Sequence, residues 1–237
     1  NKGIQKSVTH DHFLREIRLR PGERNADRFP FSVPTIRTLE VLRTDTPVTF
    51  FVGENGSGKS TLLEAIAMAA SLNAVGSADL PKDESLGEQR YLARALKLIW
   101  SRHTARGFFL RAEDFFGFTK RMSAMRSELL AQLAAIEASY ADRSAHAKAL
   151  ATLPVRRSLA ELEQMYGRDL DANSHGQSFL KLFNSRFVPG GLYLLDEPEA
   201  PLSPQSQLAL LVMMQEMTAQ QAQFIIATHS PMLLAYP

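Results

Sequence analysis

The chain has 237 residues, enough for one large α/β domain or a core with a smaller domain attached, and its 45% apolar fraction can fill a substantial core. A formal net charge of +2 does not mark a dedicated nucleic-acid binder, and the lack of cysteine excludes disulfides and thiolate metal sites. No apolar run approaches the roughly 18–20 residues that span a bilayer, and no charged-then-apolar leader opens the chain. The expectation is a cytoplasmic protein without direct membrane insertion.

Taken in chain order, His12–Leu19 alternates apolar and charged residues and predicts an edge strand. Phe29–Val33 and Thr35–Leu42 predict further edge strands, punctuated by Pro30, Pro34 and Pro47. The β-branched and aromatic run Pro47–Val52 predicts a buried strand that leads directly into Gly53–Thr61. Leu62–Leu72 has helical composition, and Ser71–Gly87 reads as an acidic loop. A short helix is expected over Tyr91–Trp100, then a strand over Gly107–Arg111. Thr119–Ala151, rich in Ala, Leu, Met and Glu, should be largely helical, with Pro154 and Gly167 ending the pieces that follow. Strand, helix and strand are expected at Gly191–Leu195, Gln205–Ala219 and Gln223–Ala227. The chain starts at Asn1 and stops soon after His229, so a last strand or helix is expected beyond Pro237. The pattern is α/β, with parallel strands joined by helices on both flanks of a helical middle.

Gly53, Gly58, Lys59 and Ser60 complete the phosphate-loop pattern G-x-x-x-x-G-K-[ST]. Glycines let the backbone wrap a phosphate so that successive N–H groups point inward, and the helix that starts here adds its positive N-terminal end. Gly53, Asn55, Gly56, Ser57, Gly58, Lys59, Ser60 and Thr61 are therefore candidate ATP contacts. Lys59 is expected at the β- and γ-phosphates, Thr61 at the α-phosphate, and the Ser60 hydroxyl on Mg²⁺. The apolar strand Leu192–Leu195 ends in Asp196 and Glu197. A buried parallel strand delivers such carboxylates to the sheet edge where ligands bind. Asp196 is the candidate metal ligand, and Glu197 the residue that orients and polarises the attacking water.

These residues resemble the ABC ATPase superfamily. Leu194–Pro198 is similar to its Walker B motif, Ala227–Pro231 to its switch-histidine motif, and Ser174-His-Gly-Gln177 to its signature motif, about twenty residues before Asp196. Glu199, Leu202-Ser-Pro204 and His175 resemble the soluble AAA/ABC-like ATPases related to the SMC and RecF lineages more than transporter subunits. The resemblance implies an ABC-type P-loop core with a mostly parallel sheet and an N-terminal antiparallel β region, formed by residues 1–113 and 187–237. Residues 114–186 would be an inserted helical subdomain that bears the signature. It also implies a nucleotide-dependent homodimer with ATP sandwiched between subunits. Ser174, Gly176 and Gln177 would contact the γ-phosphate held by the partner, and His229 the γ-phosphate of its own subunit. Ala200–Ser203 would be the D-loop, with Ser203 where transporters usually carry aspartate.

Two family positions fit less well. Glu113, after the strand Gly107–Arg111, is the candidate for the Q-loop, since Gln89 precedes a helix rather than following a strand. Phe29 and Arg28 are candidates for adenine stacking, with core packing the simpler role for Phe29. Core packing is also the simpler role for Met213, Met214 and Met217, and for Phe115, Phe116 and Phe118. The functional expectation is a Mg²⁺-dependent ATPase whose dimer cycle drives or regulates a protein or DNA partner. A transporter's nucleotide-binding subunit and a non-hydrolysing nucleotide sensor are the alternatives. The departures at His175 and Glu199 oppose the first; intact Lys59, Asp196 and Glu197 oppose the second.

Overall fold

In a computed structural model, the protein is described over residues 13–20, 28–75, 87–166 and 175–237. Its centre is a five-stranded parallel sheet in the order β3-β8-β7-β6-β4. These strands are β3 (Val48–Phe51), β4 (Asn73–Val75), β6 (Gly107–Arg111), β7 (Leu192–Asp196) and β8 (Gln223–Ala227). β7 and β8 are buried along their whole length, which is why they read as continuous apolar runs. The two-residue period still sorts their side chains. Leu192, Leu194, Ile225 and Ala227 join one core cluster, whereas Tyr193, Leu195, Phe224 and Ile226 join the other.

The first cluster is covered by α2 (Lys59–Ala69), α3 (Gly87–Ala95) and a second, three-stranded antiparallel sheet in the order β2-β1-β5. That sheet comprises β1 (Leu14–Leu19), β2 (Val41–Arg43) and β5 (Leu96–Trp100). Helices α4 (Ala112–Ser139), α6 (His175–Arg186), α7 (Pro204–Ala219) and α8 (Pro231–Leu234) cover the second cluster with Phe115, Phe179, Phe183, Leu210, Met214 and Leu233. α5 (Ala145–Tyr166) lies along α4, where Arg126 pairs with Glu163 and Arg156 with Glu137. The two sheets are tied together by the buried Gln223 amide. Its Oε1 accepts from Leu14 N at 2.9 Å, and its Nε2 donates to Leu14 O and Thr44 O.

Several elements differ from the sequence expectation. β1 is a central strand rather than an edge, because Leu96–Trp100, expected to be helical, pairs along it from Leu14↔Trp100 to Leu19↔Leu96. The antiparallel region is therefore built from the N-terminal strands and β5 together. Residues 29–33 form turns, and Pro34–Arg37 is a short helix, α1, not a strand. Pro34 stands at the start of that helix, where its fixed φ and missing N–H cost nothing, and its carbonyl accepts from Thr38 Oγ1 at 2.9 Å. β3 forms the half-buried edge of the parallel sheet rather than a buried strand. Asn73–Val75, expected in a loop, forms β4 through its parallel pairing with β6. α5 runs through Pro154, which does not end it. Gly167 lies outside the described residues.

Candidate nucleotide-binding site

The loop between β3 and α2 takes its shape from glycines at the positions that need them. Gly56 and Gly58 have φ of +78° and +92°, in the left-handed region that other residues rarely adopt. A Cβ on Gly58 would also meet Val33 Cγ1 at 3.0 Å and Ile36 Cδ1 at 3.3 Å, so α1 and its N-cap brace the loop from below. Thr35 strengthens that brace, its hydroxyl donating to the Ser57 carbonyl. Lys59, the first residue of α2, folds over the loop and donates to Gly53 O at 2.7 Å and Glu54 O at 3.0 Å.

Parallel pairing of β6, β7 and β8 brings their C-terminal ends to one edge, beside the start of α2. There Ser60 Oγ donates to Asp196 Oδ1 at 3.1 Å. Asp196 is 3% exposed, and burial raises its pKa from 3.8 to about 6, against the opposing pull of the Ser60 hydrogen bond and the Arg111 guanidinium. Glu197, next in the chain, has a φ of +49° and is fixed by its N–H bond to Ala227 O at 2.8 Å. His229 Nε2 lies 3.7 Å from Glu197 Oε1.

Two cavities meet here. One of about 240 Å³ is lined by Ser60, Arg111, Ala112, Glu113, Asp196, Glu197 and Ala200. The other, of about 300 Å³, runs along Asn55, Gly56, Gly58, Lys59, Ser60 and Thr61, with Phe29 and Glu197 on its wall. Ser60 and Glu197 line both. Glu113 thus sits with the two acidic residues, whereas Gln89 lies in α3 and lines neither cavity. Phe29 is 43% exposed on the loop's cavity, not packed in the core. Arg28 instead pairs with Glu88 at 2.7 Å and stands over the Tyr91 ring.

Gly176 and Gln177 fall in the first turn of α6 and line neither cavity. Gln177 is exposed; Gly176 packs on the loop before α7, where a Cβ would meet Pro201 O at 3.2 Å and Ser206 Oγ at 3.3 Å. Ser174 lies outside the described residues. Of the methionines, Met214 is fully buried and Met213 and Met217 pack against the same cluster. Phe115 is likewise core, while the side chains of Phe116 and Phe118 lie outside the description.

Two family models match the chain. One, described as "AAA domain", covers residues 29–88 and therefore the phosphate loop. The other, described as "AAA domain, putative AbiEii toxin, Type IV TA system", covers residues 99–235, more than half of the chain, including Asp196, Glu197 and His229. The chain belongs to this AAA-domain family. It is a P-loop ATPase in the broad sense, and membership agrees with the resemblance to AAA/ABC-like ATPases of the SMC and RecF lineages. No curated protein matches it significantly. Among the described residues, no helix of this AAA-domain chain is long and apolar enough to cross a membrane.

Two of its site residues escaped the sequence reading. Arg111 ends β6 and pairs with the buried Glu64 of α2, with Glu113 at 3.3 Å and with Asp196 at 3.7 Å. Its signal was an arginine closing an apolar strand, as Asp196 closes the neighbouring one; the register pairs Arg111 with Asp196 directly. Glu64 gave a weaker sign, a lone charge on the apolar face of the helix after the loop.

Proposed function

We propose that the chain is a Mg²⁺-dependent ATP hydrolase of the ABC type that cycles through an ATP-sandwiched homodimer and acts on a protein or DNA partner. The observation that carries this reading is that Lys59, Ser60, Asp196 and Glu197 line two cavities sharing Ser60 and Glu197 at one sheet edge, with His229 Nε2 3.7 Å from Glu197 Oε1.

The residues fit the metal. Among the described residues no cluster of three His, Asp or Glu side chains could hold an ion alone. A Mg²⁺ bound with nucleotide needs only one or two protein ligands, since phosphates and water complete its shell. Ser60 and Asp196 would supply those, and the raised pKa of Asp196 marks a buried carboxylate whose desolvation Arg111 does not offset. When bound, Mg²⁺ would neutralise charge on the β- and γ-phosphates. The loop N–H groups and Lys59 would hold the phosphates, and Phe29, on the wall of the same cavity, would pack on the base. Glu197 orients the attacking water and draws on its proton, with His229 beside it contacting the γ-phosphate.

The dimer reading is supported by Gln177, which stands exposed in the first turn of α6, where the helix N-terminus favours an anion. On this reading residues 114–186 act as the signature-bearing helical subdomain, Glu113 as the Q-loop position, and Ser174 as part of the trans contact. A toxin role in a type IV toxin–antitoxin system, named in the family description, is one output such a cycle could have. The test is ATP turnover per protomer as a function of protein concentration, with sedimentation in parallel. Specific activity should rise as dimer forms with ATP and Mg²⁺. Activity that is constant across a monomer-only range would overturn the sandwich.

A further inference from the structure

We propose that Glu199 is a positioning residue, a latch that fixes the His229 loop relative to Glu197. The proposal rests on the reading of His229 as a γ-phosphate contact. One oxygen of Glu199 gathers three donors from consecutive residues: Thr228 Oγ1 at 2.7 Å, His229 N at 2.7 Å and Ser230 N at 3.1 Å. Its other oxygen, Oε2, is buried and has no hydrogen-bond partner among the described residues. The hydrogen bonds that compensate this carboxylate for lost water therefore come from that loop. Hydrogen bonds to an ionised acceptor are roughly twice as strong as neutral ones, so three on one oxygen set a backbone position firmly.

What is set is the backbone of His229, whose side chain stays exposed and faces Glu197 Oε1 at 3.7 Å. Only Pro198 separates Glu197 from Glu199 in the chain, so one turn carries both the water-orienting carboxylate and the latch. The connection continues outward. Ser230 Oγ donates to Gln207 Oε1 at 2.6 Å, and Gln207 Nε2 donates to Leu202 O at 3.3 Å, on the loop against which Gly176 packs. A shift of the signature helix would thus reach the His229 loop through side chains already in contact.

The test compares Glu199→Ala, Glu199→Gln and His229→Ala, alone and combined, for kcat, nucleotide affinity and hydrogen exchange over residues 228–233. Glu199→Ala should speed exchange of the His229 amide by about tenfold or more, and of the Ser230 amide less, because Ser230 N also donates to Thr228 Oγ1 at 2.9 Å. It should lower kcat by about tenfold or more while ATP affinity stays within about twofold. Glu199→Gln keeps an acceptor oxygen and should restore most of both. In the His229→Ala background, Glu199→Ala should cost little further turnover, as for residues acting through one another. Unchanged exchange in Glu199→Ala, or the same fold-loss of kcat with and without His229, would overturn the latch. If His229→Ala turns over at the wild-type rate, the γ-phosphate role of His229 fails, and the exchange measurement still decides whether Glu199 holds the loop.

Discussion

Ser60 and Asp196 are 136 residues apart in the chain and 3.1 Å apart in space. The contact joins the first turn of α2 to the last residue of β7, so the phosphate loop and the acidic strand end form one structural unit. It also leaves a nearly fully buried carboxylate facing a hydroxyl rather than a full counter-charge, with Arg111 standing 3.7 Å away.

That burial makes stability depend on pH in a defined direction. The Asp196 pKa is raised from 3.8 to about 6, chiefly by desolvation. Between those values the folded protein keeps a proton that the unfolded chain has released, so the group's contribution to stability falls as pH rises through the window. The full swing is on the order of 3 kcal/mol. Asp196→Asn retains an acceptor for Ser60 and does not titrate. Urea unfolding without metal or nucleotide should therefore show the variant more stable than wild type at about pH 7.5, with the two converging near pH 4. A difference independent of pH would contradict the account.

Lys59→Ala should lower ATP affinity by about tenfold or more, because a charge-assisted contact to the phosphates is lost. The lysine also bridges Gly53 O and Glu54 O, so melting curves are needed alongside titration calorimetry. An undiminished affinity would remove Lys59 from the site.

Arg111→Met strands Glu64, which is 1% exposed, as an unpaired charge in the core beneath the loop. Breaking such a pair from one side costs about 3–5 kcal/mol. Adding Glu64→Gln should recover part of the loss. Chemical denaturation of the single and double variants measures both, and additive losses would mean that the pair is not coupled.

Gly107→Ala tests the sheet itself. Gly107 starts β6 with a φ of +126°, and a Cβ there would fall 1.8 Å from Leu192 O. β6 would have to move away from β7, at a cost of about 3 kcal/mol or more. A variant of wild-type stability in urea would show that the two strands do not approach so closely.

The parts legible in the sequence are those whose signal is local. β7 and β8 are buried on both faces and run into Asp196-Glu197 and Thr228-His229, so the apolar runs themselves mark both the strands and where they stop. Glycine spacing likewise marks the turn from β3 into α2. What stayed hidden depends on partners far along the chain. Leu96–Trp100 is a strand because β1 supplies its ladder, and Asn73–Val75 is one because β6 does. Phe29 looked like core, yet the turns after it bury Phe31 and leave Phe29 facing the loop. Arg111 and Glu64 acquire meaning only when β6 is laid beside α2 and β7.

The most direct test of the central claim is the turnover and assembly state of Glu197→Gln in ATP and Mg²⁺. A glutamine keeps the size of Glu197 but does not draw a proton from water. The account predicts that hydrolysis falls by at least about a hundredfold while ATP stays bound and the protein sediments as a dimer. Hydrolysis at the wild-type rate would contradict it.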